Sequence, residues 1–455
     1  MNIYLITPSW TGKRYNQITV ATSLQYLAAL TPKIHSLRAD DESFGDKIDF
    51  DYDAGLVALS CITPQAPRGY EIADEFRRRG KKVVMGGMHA SLMPDEALEH
   101  CDSVAVGEAE LIWGDIIKDA EKGELKPVYK ADRLADFSEI PWPDRSVLKG
   151  KRQFPIFNVQ TTRGCPFNCS FCSVTRFFGR SYRQRPVEDV IAEIAMLKKT
   201  KQLKWNFVFF ADDNIVANPA YAKKLFTALI PLKISWEGQA SITVADDDEL
   251  LDLARQSGCL SLAIGMESLS EESLKVANKQ MNSKERFERA IKKIHSYKIA
   301  VYGLFIFGFD TDDEYCFEDT RQFIEDNKIE FMLLSCLTPL PGTPFYEQYE
   351  SEGRIVDHDW SKFDMYTVVY DPKKMTREQL FYGRNYVYGK LLSWPSIFRR
   401  IFGARTVRYY SLINNIYLRP AIRRLPKSSY VPPKRPKALA GASAQAKGQD
   451  AGARI

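Results

Sequence analysis

The sequence predicts an α/β protein: an N-terminal doubly wound domain, a partial β/α barrel of six units, and a mainly helical C-terminal region. Three observations predict it. Over the first third, short apolar segments alternate with amphipathic helical ones, the pattern of a parallel sheet covered by helices on both faces. Between residues 155 and 345, six more apolar segments recur, each tied to a helical pattern. Beyond Ser351 that alternation stops and a Tyr-rich helical stretch follows, Thr376 to Leu392.

Taken in order, Ile3 to Ile6 reads as a strand. Thr19 to Leu30 places Leu24, Leu27 and Leu30 at helical spacing and stops before Pro32. Gly55 to Ser60 is a buried strand, and Tyr70 to Arg79 a helix closed by Gly80. Lys82 to Gly87 is a strand running into a glycine turn, Pro94 to Glu99 opens a helix, and Ser103 to Gly107 is a strand. Sheets of this kind bind ligands at the carboxyl ends of their strands. Thr7, Ser60, Gly86, Gly87, His89, Gly107 and Glu108 stand at those ends.

This first domain takes in residues 1–130, and a linker, 131–154, follows. In the linker Pro141-Trp142-Pro143 predicts an extended crossing with Trp142 in the seam. The barrel, 155–350, has its strands at Phe157–Thr161, Trp205–Phe210, Ile234–Gln239, Leu260–Gly265, Ala300–Phe307 and Phe331–Leu337. A cover region, 351–427, includes a possible strand at Met365–Tyr370, and a disordered basic tail, 428–455, ends the chain.

The stretch after the first barrel strand organises the rest. Cys165, Cys169 and Cys172 follow one another at x3 and x2 spacing in a loop bent by Gly164, Pro166 and Asn168. Thiolates this close converge on one inorganic centre, with little slack for disulfides among themselves. Iron–sulfur clusters usually take four cysteine thiolates, so three with no obvious fourth leave one iron open. The competing reading is a structural zinc knuckle. Zinc wants four closed ligands, and no further Cys or His lies close in sequence.

Cys-x3-Cys-x2-Cys with Phe171 before the last Cys resembles the signature of the radical S-adenosylmethionine (SAM) enzymes. Gly86-Gly87-Met88-His89 and Gly107-Glu108-Ala109-Glu110 resemble the N-terminal domain of that family's cobalamin-binding branch. The resemblance implies a Rossmann-like cobalamin-binding-type domain followed by a partial (β/α)6 radical SAM barrel. It implies a [4Fe–4S] cluster on Cys165, Cys169 and Cys172, with SAM on the open iron and Phe171 near the adenine. Asp212 or Asp213 would meet the SAM ammonium, Gln239 and Ser241 the methionine carboxylate, Glu267 the ribose, and Gly308 the adenine. Asp212-Asp213 stands where many members carry Gly-Gly-Glu. Thr7, Ser60, Gly86, Gly87, His89, Gly107 and Glu108 would face cobalamin. None of the five His has Asp two residues earlier, so the Asp-x-His-x-x-Gly ligand motif is absent. His89 also reads as a turn residue bonded to its own loop, and Asp212 and Asp213 as helix N-caps. Arg163 reads equally as a partner for the cluster's charge and as a loop salt bridge.

Composition narrows the class further. A net charge of +5 over 455 residues gives no expectation of a nucleic-acid partner. Eight Cys, five of them scattered and mostly in apolar runs, fit a reducing compartment. Neither a signal peptide nor an apolar run long enough to span a bilayer is expected, which places the protein in the cytoplasm. From Leu391 onward there are 13 Lys or Arg and one acid, Asp450. Such a basic amphipathic stretch either lies peripherally on the inner membrane face or docks on its own protein with its arginines reaching water.

The resemblance implies cleavage of SAM to a 5′-deoxyadenosyl radical, fed by flavodoxin or ferredoxin, and cobalamin-dependent methylation of an unactivated carbon. A hydrophobic, lipid-like or natural-product small molecule is the expected substrate. The alternatives are a cyclase or rearrangement enzyme of the same branch, a tRNA methylthiotransferase-like enzyme, and a membrane-surface redox sensor. The methylthiotransferase needs a second cysteine-ligated cluster, for which Cys61 and Cys101 are too few and too far apart.

Overall fold

The computed structural model describes residues 1–10, 22–148, 157–200, 202–420, 426 and 428–436. The strands are β1 (Asn2–Thr7), β2 (Ser36–Asp41), β3 (Leu56–Ser60), β4 (Val83–Gly86), β5 (Ser103–Val106), β6 (Val128–Lys130), β7 (Phe157–Val159), β8 (Thr162–Arg163), β9 (Arg183–Gln184), β10 (Phe207–Phe210), β11 (Ser235–Ala240), β12 (Cys259–Glu267), β13 (Ala300–Phe307) and β14 (Phe331–Cys336). The helices are α1 (Thr22–Leu30), α2 (Ala66–Arg78), α3 (Met88–Leu92), α4 (Pro94–His100), α5 (Trp113–Lys122), α6 (Val174–Phe177), α7 (Val187–Lys199), α8 (Pro219–Leu229), α9 (Asp248–Gln256), α10 (Glu271–Val276), α11 (Lys284–Ser296), α12 (Tyr315–Asp326), α13 (Pro344–Ser351), α14 (Arg377–Leu391), α15 (Trp394–Ala404) and α16 (Arg408–Leu418).

The chain forms two compact units, Met1–Ala263 with Thr338–Val369, and Ile264–Leu337 with Tyr370 onward. The first contains a parallel six-stranded sheet in the order β2-β1-β3-β4-β5-β6. Alternate strand residues face opposite ways, and each set has its own helical cover. Tyr4, Ile6, Val57, Leu59 and Met85 pack with Ile72, Ala73 and Phe76 of α2. Ile3, Leu5, Leu56, Ala58 and Val84 pack with Leu24 of α1 and Trp113 and Ile116 of α5. This is the doubly wound arrangement expected from the sequence.

Two of its strands escape sequence reading. β2, Ser-Leu-Arg-Ala-Asp-Asp, lacks an apolar run, and its charges are neutralised locally: Arg38 pairs with Asp40 at 2.9 Å and Asp49 at 2.6 Å. β6 is three residues at the other edge. Edge strands bury less, so their pattern is weaker. α2 also begins at Ala66, before the expected Tyr70, because Pro67 opens it.

β7, β10 and β11 pair in parallel within the first unit, and β13 pairs β14 in parallel within the second. The division falls inside β12. All six expected barrel strands are present. The linker is fastened by Trp142, whose Nε1 donates to Asp189 of α7 at 2.6 Å, and by Arg145, 2.5 Å from Glu193.

Three expectations for the C-terminal part need correction. Met365–Tyr370 is not a strand: Asp364 accepts from the amides of Tyr366 (2.8 Å) and Thr367 (2.6 Å), and Met365 has φ +64°, which makes a turn. Residues 428–436 lie against α12, with Tyr430 donating to Glu314, and Arg435 to Asp319 at 3.0 Å. Residues 437–455 lie outside the described set. Arg400 of α15 does not reach water. It is fully buried and donates to the carbonyls of Ile329, Glu330 and Leu391, each at 2.7 Å. α14 is helical as expected, and it starts at a capping box formed by Thr376 and Gln379.

Candidate active site

The cysteine loop leaves β8 through Gly164, whose φ is +83°. A Cβ there would stand 2.3 Å from the Ser181 carbonyl oxygen, so the turn requires glycine. β8 pairs antiparallel with β9, which closes the loop at its base. Cys169 is buried, Cys165 and Cys172 are half-buried, and all three are free thiols. Burial raises the Cys172 thiol to about 12, and the charges of Cys169, Asp213 and Cys165 push the same way. The three sulfurs therefore feel one another. Among the described residues no three His, Cys, Asp or Glu close up on a single metal ion. Phe171 is half-buried between the last two cysteines.

Two acids after β10 hold this loop. Asp212 is fully buried, and its Oδ1 accepts from the amides and hydroxyls of both Thr161 and Thr162. Burial pushes its carboxyl up to about 7 against those hydrogen bonds. Asp212 is thus not a helix cap: its Oδ1 anchors the strand that feeds the loop, while its Oδ2 is buried with no hydrogen-bond partner among the described residues. Asp213 accepts from the Gly164 amide at 3.0 Å and is half-buried. Burial raises its carboxyl too, and it bears on Cys172.

Beside the loop, a cavity of about 210 Å³ opens at the carboxyl ends of β3, β4 and β5. Ser60, Gly86, Gly87, Gly107 and Glu108 line it, with Tyr26 and Trp113, and Phe177 and Phe178 close one side. Gly87, φ +89°, brings its backbone against Cys61, where a Cβ would meet the carbonyl oxygen at 2.6 Å. A Cβ at Gly107 would meet no atom within 4 Å, so the cradle there is open to a ligand. Among the described lining residues there is no His.

Thr7 and His89 do not line the cavity. Thr7 is buried at the end of β1. His89 is buried, its Nε2 3.0 Å from the Tyr70 hydroxyl and 3.6 Å from Glu96. Trp360 donates to the same Glu96 at 2.8 Å and packs edge-on against His89. The turn reading of His89 also needs correction: the residue lies in α3, and its ring meets Tyr70 of α2 and Glu96 of α4, not its own loop, with Trp360 alongside.

Glu108 lines the cavity with its carboxylate already engaged. It takes Arg163 at 2.7 Å and Arg183 at 2.7 and 3.0 Å, while Glu110 takes Arg163 at 2.6 Å. Two cations and two anions make a neutral quartet in which Arg163 and Glu108 are buried and Arg183 and Glu110 half-buried. The Arg163 guanidinium lies 5.2 Å from the Tyr26 ring and 5.5 Å from Phe137. Arg163 is two residues from Cys165, so the quartet joins the cavity's rim to the cysteine loop.

Comparison with known proteins completes the picture. The profile of the radical SAM superfamily matches residues 159–324, and that of the B12-binding domain matches residues 24–116. The chain is 36% identical over 368 residues to bacteriochlorophyllide d C-12(1)-methyltransferase of Chlorobaculum tepidum, covering 80% of each. It is 32% identical over 397 residues to bacteriochlorophyllide d C-8(2)-methyltransferase of the same organism, covering 83% of this chain and 86% of that enzyme. This chain belongs to the cobalamin-binding radical SAM family. The methyltransferase TsrM of Kitasatospora setae, solved with cobalamin and a [4Fe–4S] cluster, shares its fold at TM-score 0.71 and 14% identity, over 93% of this chain and 99% of that one. The family membership makes the protein an enzyme with a [4Fe–4S] cluster, SAM and cobalamin as cofactors, a C-methyltransferase that takes electrons from a reducing partner and acts on a small molecule.

The remaining residues expected at the radical SAM strand ends divide between the units. In the first, Gln239 is exposed and Ser241 half-buried; the Ser241 amide donates to Asn214 Oδ1 at 3.0 Å. Asn214 is itself buried, and it supports this strand end although nothing in its sequence context marks it. In the second, Glu267 is buried at φ +64°, an uncommon conformation that clusters at ligand sites. Its Oε1 is held by Lys279 at 2.6 Å, a partner twelve residues away on a different element. Gly308 packs under Tyr370 and Leu380, where a Cβ would lie 2.4 and 2.6 Å from them. That packing by itself accounts for the glycine.

Proposed function

We propose that this enzyme methylates an unactivated side-chain carbon of a tetrapyrrole macrocycle of the bacteriochlorophyllide type. The observation that carries the reading is its likeness, along about four-fifths of the chain, to two enzymes that methylate such macrocycles at two different positions. Cys165, Cys169 and Cys172 hold the cluster, a role supported by the radical SAM match over residues 159–324. Of the two acids, Asp213, held at the Gly164 amide of the cysteine loop, meets the SAM ammonium, while Asp212 Oδ1 holds Thr161 and Thr162. Gln239 and Ser241 attend the methionine carboxylate and Glu267 the ribose, with Lys279 orienting its carboxylate. Gly86, Gly87 and Gly107 give cobalamin its edge, supported by the open cradle at Gly107. When bound, these cofactors supply one-electron cleavage of SAM and a transferable methyl group, while the chain orients them and excludes water. Flavodoxin or ferredoxin is the reductant, and the cytoplasm, at the inner membrane face, is the compartment.

The test is anaerobic reconstitution with SAM carrying a labelled methyl group, a reductant, cobalamin and bacteriochlorophyllides. Label in the macrocycle together with 5′-deoxyadenosine is expected, and Cys172→Ala should abolish both. 5′-Deoxyadenosine with an unlabelled, cyclised product would replace methylation by the cyclase reading.

A further inference from the structure

α15 has two faces of opposite character. Its inner face, Ile397, Arg400 and Ile401, is buried, and Arg400 clamps it to main-chain carbonyls. Its outer face carries Trp394, Phe398 and Phe402 at intervals of four, exposed by 37%, 43% and 52%. Their rings form one row, with centroids 5.7 and 6.0 Å apart and planes inclined by 20° and 27°.

α16 brackets that row. Arg408, at its start, lies 5.5 Å from the Phe402 ring, and Arg419, just beyond its end, lies 4.4 Å from Trp394. α16 therefore runs back along α15, and a cation stands at each end of the aromatic row. α16 also exposes Tyr409 by 87% and Ile413 by 67%. Contiguous apolar exposure rimmed by charge marks an interaction surface.

We propose that α15 and α16 dock this enzyme on an anionic lipid bilayer. Charge complementarity selects this occupant. Arg408 and Arg419 stand at the two ends of the exposed aromatic row, so whatever covers the face must bring negative charge and accept aromatic side chains. An anionic headgroup layer over acyl chains does both. A second copy would bring the same arginines and repel. Among the described residues no helix is long and apolar enough to cross a membrane, so the contact is peripheral, with the buried Arg400 face keeping the helices on the protein. The inference rests on the compartment proposed above and is independent of the substrate.

The test is co-sedimentation of the reconstituted full-length protein with vesicles. Binding to vesicles of equal parts phosphatidylglycerol and phosphatidylcholine is expected, about tenfold tighter than to phosphatidylcholine alone. Phe398→Ser with Phe402→Ser, and separately Arg408→Glu with Arg419→Glu, should each weaken it about tenfold. Both double variants should keep the wild-type melting temperature and 5′-deoxyadenosine formation. Equal binding to both vesicle types, no binding, or full binding by the double variants would overturn the proposal. So would a concentration-dependent dimer that the Phe variant abolishes, which would assign the face to a second copy. Vesicle binding by a protein that forms no 5′-deoxyadenosine would remove the enzymatic reading and leave the docking intact.

Discussion

Arg163 shows what one residue does between the cavity and the cysteine loop. It is buried against Tyr26 and Phe137, and its charge is matched by Glu108 and Glu110. Removing one member of a buried ionic set leaves the others uncompensated, which costs about 3–5 kcal/mol. Arg163→Met should lower stability by about that amount in urea unfolding, and should weaken cobalamin retention on gel filtration, because Glu108 lines the cavity. Asp312 gives a pH-dependent test. It is buried and accepts from Ser273 at 2.7 Å and from the amides of Gly308 and Phe309 at 3.0 and 3.1 Å, yet burial pushes its carboxyl up from 3.8 to about 6. Between those values the folded state holds the proton that the unfolded state releases. This group's contribution to stability therefore falls as pH rises through that window and is level above it. Asp312→Asn should remove that slope, read as the difference between variant and wild type at about pH 4.5 and about pH 7. Neither Arg163's partners nor Asp312's were legible in sequence. Glu108 is 55 residues from Arg163, and only folding brings them together.

At the scale of elements, most of the pattern was legible. The apolar runs of β1, β3, β4, β5 and the six barrel strands announce themselves because both faces of a parallel sheet are buried. β2 and β6 do not, since edge strands have less to bury. The cysteine loop was legible as a motif, and the tertiary structure adds its support: the β8–β9 pair below and the Asp212 hydrogen bonds beneath Thr161 and Thr162. Gly164→Ala should break this element. Its methyl would meet the Ser181 carbonyl oxygen at 2.3 Å in a left-handed backbone. Iron bound per chain after anaerobic reconstitution should drop to a small fraction of wild type, while far-UV circular dichroism stays near normal. Wild-type iron content in that variant would show that the turn tolerates a side chain.

At the scale of the whole molecule, the chain's two compact units predict unfolding that is not two-state. Trp10, Trp113, Trp142, Trp205, Trp236 and Trp360 lie in the first unit and Trp394 in the second. Tryptophan fluorescence thus reports mainly on the first unit, and far-UV circular dichroism on both. The two signals should give separate midpoints in urea; coincident transitions would show that the units unfold together.

By itself the sequence determined the fold class, the order of the domains and the cysteine trio, and the trio's resemblance to the radical SAM signature implied the chemistry that starts the reaction. The fold class and the trio rest on local spacing and periodicity, which need no partner elsewhere in the chain. Only the tertiary structure decided what each polar residue at the strand ends does. It turned His89 inward to Tyr70 and Glu96, spent Asp212 on two threonines, committed Glu108 to two arginines and gave Glu267 its lysine. The reason is physical: a buried polar group must find a partner, and the partner that satisfies it is set by folding, often dozens of residues away.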